Sequence, residues 1–244
     1  LRTPLKAALE VLRERHERTV ALCRKVETPF VELRDAEELN WMSRCLTADH
    51  MATLGMILRT NGLPQLRVLR LFNNRLGDAG MQALCEGLGR VSAPALRLLV
   101  LGSNGSGPVG AEALAAALNR GAMAKLEELL IFRSPIGNRG TTALASPLRK
   151  LPALKQLHIS SCEIGDEGIV SLFGDLGKDD FKALDMLTLQ RNKITDAGCA
   201  ALVSALDAGG MPKCLLVDLI PLPPEPPRVG DNPASIEACK AVCD

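Results

Sequence analysis

The chain of 244 residues has no tyrosine, one tryptophan and five phenylalanines. A core made with so little aromatic bulk must come from leucine, valine, isoleucine and alanine. The same shortage counts against single-stranded nucleic-acid binding, which stacks bases on aromatic rings. Excess charge is also missing: 29 Lys and Arg against 28 Asp and Glu leave a formal net charge of +1. No general attraction to nucleic acid, an anionic membrane or an acidic substrate follows from that balance. No apolar run approaches the ~20 residues that a membrane-spanning helix needs, so direct membrane insertion is not expected. The eight cysteines, at 23, 45, 85, 162, 199, 214, 239 and 243, include no CxxC pair. Most sit inside apolar patterns such as "ALCEGL" and "AGCAAL". They read as buried reduced thiols of an intracellular protein, in the cytoplasm or an organelle interior. No signal peptide is visible, and a targeting segment ahead of Leu1 stays open.

What the chain does have is repetition. "NNRLGDAGMQALCEGL" from Asn73 and "RNKITDAGCAALVSAL" from Arg191 are nearly the same text. The pattern L-x-x-L-x-L starts at Leu66, Leu96, Leu126, Leu154 and Leu184, and in weaker form at Cys214, at intervals of 30, 30, 28, 30 and 30 residues. Eight positions after each full start stand Asn74, Asn104, Ser134, Cys162 and Asn192. Fourteen after it stand Gly80, Gly110, Gly140, Gly168 and Gly198, and leucines then recur four apart, as in Leu84 and Leu88. The alternating stretch is a short strand and the four-residue spacing is helical. Asp78, Asn138, Asp166 and Asp196 stand where helix N-caps are expected. One strand–loop–helix unit cannot bury its own apolar face, but stacked units can, with strands in a parallel sheet and helices outside. The asparagine amides are expected to bridge backbone groups where the chain leaves each strand, with Ser134 and Cys162 doing so less well. The repeat glycine is expected to allow a close helix-to-strand approach, or to supply a positive φ.

The motif L-x-x-L-x-L-x-x-N-x-[LI]-x-D-x-G-x-x-A-L-x-x-x-L resembles the ribonuclease-inhibitor-like class of leucine-rich repeats, over about residues 36 to 222. The resemblance implies an α/β solenoid: a horseshoe with a concave parallel sheet and convex helices. That family includes ribonuclease inhibitors, activators of the Ran GTPase, receptor sensor domains, actin regulators and ciliary subunits.

Solenoids need closed ends. Residues 1–34 read as an N-terminal capping helix with Thr3 as N-cap, and Leu5, Leu9, Leu12, Thr19, Cys23 and Val26 form its apolar stripe. Residues 35–222 hold one degenerate repeat, with His50 in place of the glycine, then five full repeats and a final strand. Residues 223–244 read as a Pro-rich extended segment and a short C-terminal helix capped by Asn232.

Catalytic signatures are sparse. "GSGPVG", Gly105 to Gly110, matches G-x-G-x-x-G after a strand. Its last glycine, however, is the glycine of every repeat, and the other units lack the rest of the motif. His16, His50 and His158 fall in no metal-ligand spacing, and Cys239 with Cys243 lack a third ligand. No cofactor or metal is therefore expected, and the chain does not read as an enzyme. The informative surface is the concave face, formed by the third, fifth and seventh residues of each unit. These are Val68, Arg70 and Phe72; Leu98, Val100 and Gly102; Glu128, Leu130 and Phe132; Gln156, His158 and Ser160; Met186, Thr188 and Gln190. The N-terminal half of this face is apolar and the C-terminal half polar, with Arg133, Arg191 and Lys193 beside it. An apolar patch with a polar rim fits a protein partner. The expected contact residues are Val68, Arg70, Phe72, Leu98, Val100, Leu130, Phe132, Arg133, His158, Met186 and Arg191. The alternatives are a permanent structural subunit of a large assembly and an accessory activator of a GTPase.

Overall fold

A computed structural model describes residues 2–177, 179–209, 211, 213–214, 216–219, 232–234, 238 and 241–242. The Pro-rich segment lies outside the described residues, as does most of the expected C-terminal helix. Two helices lead, α1 (Arg2–Val26) and α2 (Phe30–Leu33). Strands and helices then alternate: β1 (Glu38–Asn40), α3 (Ala48–Thr60), β2 (Val68–Arg70), α4 (Gly77–Gly87), β3 (Leu98–Val100), α5 (Pro108–Asn119), β4 (Glu128–Leu130), α6 (Gly137–Arg149), β5 (Gln156–His158), α7 (Asp166–Phe173), β6 (Met186–Thr188), α8 (Asp196–Asp207) and β7 (Leu216–Asp218). The seven strands form one parallel sheet in chain order. Its register is the sequence period: Val68 pairs with Leu98, Leu98 with Glu128, and Glu128 with Gln156. Parallel strands stack ~4.8 Å apart while packed helices need ~8–10 Å. The helical layer must therefore fan out, and the free face of the sheet becomes the concave side of a leucine-rich repeat solenoid.

The three-residue strands leave buried backbone groups at every turn, and asparagine side chains satisfy them. Asn74 Oδ1 accepts from the amides of Arg44 and Leu46, at 3.0 and 2.9 Å, and its Nδ2 donates to the carbonyls of Trp41 and Leu71. Asn104 accepts from the amide of Asn74 and donates to the carbonyls of Leu71 and Leu101. Asn192 accepts from the amides of Cys162 and Ile164. Asn232 then supplies the next rung from outside the repeat pattern. It accepts from the amides of Asn192 and Ile194 and donates to the carbonyls of Leu189 and Leu219. Its place is at the end of this ladder, where a helix cap was expected.

Two other local expectations are corrected. Asp78, Asn138 and Asp166 lie at the start of α4, α6 and α7, yet each side chain serves the following repeat. Asp78 Oδ1 accepts from the amides of Gly107 and Gly110 at 2.7 and 2.9 Å, and Asn138 Oδ1 from Gly165 N at 2.7 Å. Asp166 accepts from the amide and hydroxyl of Thr195. The repeat glycines keep ordinary φ and are needed for close approach, but to the preceding helix rather than to a strand. A Cβ on Gly110 would stand 2.9 Å from Asp78 Oδ1, and one on Gly140 2.9 Å from the Cβ of Ala111. Helices α3 and α4 meet backbone to backbone, since a Cβ on Gly87 would lie 2.2 Å from the carbonyl oxygen of Gly55.

At the N-terminal end Trp41 is fully buried, and its indole N–H donates to Thr28 Oγ1 at 3.1 Å. His50 in the degenerate repeat closes a capping box, its Nδ1 accepting from the Thr47 amide at 3.1 Å. Burial, with Lys25 nearby, pushes His50 below its usual pKa against the opposing pull of Asp49, which keeps that nitrogen free to accept.

The ladder has one gap. Ser134 is 1% exposed and its Oγ has no hydrogen-bond partner, while Cys162 makes only long sulfur contacts to the carbonyls of Ile131 and Ser160. The residue before the ladder position has the same left-handed φ in each repeat: 56° at Asn73, 55° at Ser103, 54° at Arg133 and 56° at Arg191. An asparagine at 134 therefore meets a backbone already set for it. It would accept from the amides of Asn104 and Ser106 and donate to the carbonyls of Leu101 and Ile131. Ser134→Asn should raise unfolding free energy by about 1–3 kcal/mol in a denaturant melt. A loss of stability would contradict this account of the gap.

Candidate interaction surface

The strands carry Leu69, Leu99, Leu129, Leu157 and Leu187 inward, each essentially fully buried. Period-two alternation therefore turns residues 68 and 70 and their equivalents to the concave face. Val68, Arg70, Leu98, Leu130, His158 and Met186 are half-buried there, and so are Phe72 and Phe132 just beyond the strands. Val100 departs from expectation: only 6% of it is exposed. It sits in register between Arg70 and Leu130, in the row beside the two phenylalanines, so it supports the patch from below rather than offering contact area.

Phe72 and Phe132 follow β2 and β4, two strands apart, yet their ring centroids are 5.2 Å apart at an interplanar angle of 34°. Gly102 on the intervening unit makes this possible. A Cβ there would stand 2.7 Å from the Phe132 carbonyl oxygen and 3.1 Å from its ring. The missing side chain is a notch over which the rings meet. In the next register position toward the N-terminus, Met42 is exposed on the degenerate repeat. Sequence reasoning omitted Met42, although the spacing of 30 residues from Phe72 marks it. The apolar patch thus runs from Met42 through Phe72 and Phe132, with Val68, Leu98 and Leu130 alongside.

Charge borders the patch. Arg70 pairs with Glu38, and Glu127 lies between Arg97 and Lys155. The Lys155 ammonium and then the Arg97 guanidinium hold the Glu127 carboxyl below the usual carboxylate range. Arg133 is exposed at one margin, and Arg191 is half-buried further along.

The C-terminal half of the face is a hydrogen-bonded network. Ser160 Oγ donates to Gln190 Oε1 at 2.6 Å and lies 3.1 Å from Thr188 Oγ1, while Gln190 donates to Asp218. His158 Nδ1 lies 3.2 Å from Thr188 Oγ1, and burial pushes the imidazole below its ordinary pKa. The ring is therefore neutral near pH 7 and can accept from the Thr188 hydroxyl. Among the described residues no group of three His, Cys, Asp or Glu could hold a metal ion. The glycine-rich turn at Gly105 to Gly110 offers no phosphate cradle, because the amides at the start of α5 already donate to the Asp78 carboxylate. No described helix is long and apolar enough to cross a membrane.

Comparison with a known sequence family agrees with the repeats. A sequence profile described as Leucine Rich repeat matches residues 63–85, 150–173 and 187–203, and the chain contains leucine-rich repeats. Among solved structures it is similar to a chain of the octameric complex of Latrophilin 3 (Lec, Olf), Unc5D (Ig, Ig2, TSP1) and FLRT2 (LRR). The identity is 16% and the TM-score 0.38, over 75% of this chain and 53% of that one. The chain thus spans about half the length of that neighbour.

Cys23, Cys45, Cys85 and Cys162 are free thiols. Burial pushes Cys85 and Cys162 up to about 12, whereas Cys45 is exposed. Alkylation at neutral pH should label Cys45 in the folded protein and reach Cys85 and Cys162 only after unfolding. Native labelling of Cys162 as fast as Cys45, read by peptide mass mapping, would contradict its packed place in the ladder.

Proposed function

We propose that this chain is a non-enzymatic interaction module whose concave face binds another protein, with repeats of the ribonuclease-inhibitor-like class. The pairing of Phe72 and Phe132 over Gly102 carries the reading. Half-exposed aromatics at the centre of an apolar patch with a charged border match the anatomy of binding hot spots. The helix-for-every-strand architecture and the 28- to 30-residue register support the class. Val68, Leu98 and Leu130 widen the apolar contact, Arg70 and Arg133 border it, and His158, Met186 and Arg191 extend it toward the polar half. Val100 acts as support beneath.

Phe72→Ala combined with Phe132→Ala tests this. Losing the ring pair should cost about 1 kcal/mol of fold stability. Capture of the partner from lysate, compared with wild type by mass spectrometry, should fall roughly tenfold or more. A double variant that folds and still captures every wild-type partner at full yield would remove the concave patch from consideration.

A further inference from the structure

Helix α1 bears one apolar stripe that is covered along only half its length. Its C-terminal part packs on the first repeat, with Thr19 6%, Leu22 1%, Cys23 6% and Val26 3% exposed. Leu5, Leu9 and Leu12, on the same stripe about two to four turns before Thr19, are 74%, 68% and 60% exposed. The sequence reading placed Leu5, Leu9, Leu12, Thr19, Cys23 and Val26 against the repeats, and the structure buries only Thr19, Cys23 and Val26 of these, with Leu22 beside them. Where the stripe leaves the body of the protein, a groove of about 540 Å³ opens between α1, α2 and α3. Leu12 and His16 form one wall, Phe30 and Val31 another, and Met56 and Ile57 the third. The edge of the His16 ring meets Phe30, with centroids 5.7 Å apart at 83°.

The charges that line the groove have one sign. Arg15 and Arg34 line the groove and no carboxylate does. At 3.6 residues per turn, Lys6 and Arg13 flank the stripe on one side and Arg15 on the other, while Glu17 and Glu10 lie farther round, beyond Lys6, and Glu14 falls on the opposite face. Glu14 and Glu17 pair with Arg18 and Arg13. Among the described residues no ion pair engages Lys6, Arg15 or Arg34.

We propose that this surface docks an acidic amphipathic helix of a partner protein. Leucines at i, i+4 and i+7 continue the helix-on-helix packing of α1 against α3, so an added helix is the natural cover. Burying Leu12 and Phe30 would draw Arg15 and Arg34 out of water, which is costly unless carboxylates come with the partner. A second copy of this chain would bring the same basic flanks and set like charges together. The site lies on the N-terminal cap, apart from the concave face, and does not depend on the reading of that face.

The test uses the full chain and two fluorescent synthetic peptides with identical leucines at helical spacing, one with glutamates between them and one with lysines. Fluorescence anisotropy at low salt should show the glutamate peptide binding and the lysine peptide failing to bind. Leu9→Ser with Leu12→Ser should weaken the glutamate peptide by roughly tenfold or more. Both leucines are mostly exposed, so melting should be unchanged. Arg15→Glu with Arg34→Glu removes no buried apolar contact and should reverse the preference toward the lysine peptide. Phe72→Ala with Phe132→Ala should leave peptide binding intact. Equal binding of the two peptides, binding of neither, or loss of binding in the phenylalanine variant would overturn the proposal. Sedimentation showing a dimer that Leu9→Ser with Leu12→Ser abolishes would give the surface to a second copy and overturn it as well.

Discussion

Each time the chain turns off a strand of this sheet it buries backbone amides and carbonyls away from water, and nearly everything else follows from how these are satisfied. Where the ladder residue is asparagine, one side-chain amide does it, accepting from two amides of the preceding repeat and donating to two carbonyls, as at Asn192. Because each asparagine serves its neighbour, no unit is complete alone. Asp78, Asn138 and Asp166 apply the same logic at the helix starts. At helix ends Arg120 donates to the carbonyl of Cys85, and Arg149 to those of Ser171, Leu172 and Gly174. Stability is therefore passed along the chain, and an interruption such as Ser134 loosens a junction between repeats rather than one repeat.

The period, the strands, the inward leucines and the sign change across the concave face were legible because they repeat with a fixed spacing. What escaped was whatever depends on the neighbour. Asp78 has the right place for an N-cap on its own helix, and only the stacked geometry shows its carboxylate reaching amides 29 and 32 residues away. Val100 alternates outward like Val68, but the same outward phase gave it 6% exposure. Asn232 lay ten residues beyond its expected place in the repeat pattern, so its task at the end of the ladder could not be counted to. The contact of Phe72 with Phe132 depends on Gly102, which looked like an empty position in the sequence and is the reason the rings touch.

These interactions give a stiff sheet whose exposed side chains can vary without disturbing the turns beneath. The apolar half concentrates two of the five phenylalanines beside Met42, while the polar half locks its own side chains in the network of Ser160, Thr188 and Gln190. Half-buried apolar groups gain by being covered, whereas a satisfied network has less to gain. This physical asymmetry of the face is the reason the proposed partner is placed on the N-terminal repeats.

Amide hydrogen exchange on the captured complex, compared with the free chain, tests that placement most directly. The account predicts new protection over residues 68–73, 98–103 and 128–133, with little change over the convex faces of α4, α5 and α6. Protection confined to those helices, with the strand segments exchanging as in the free chain, would contradict it.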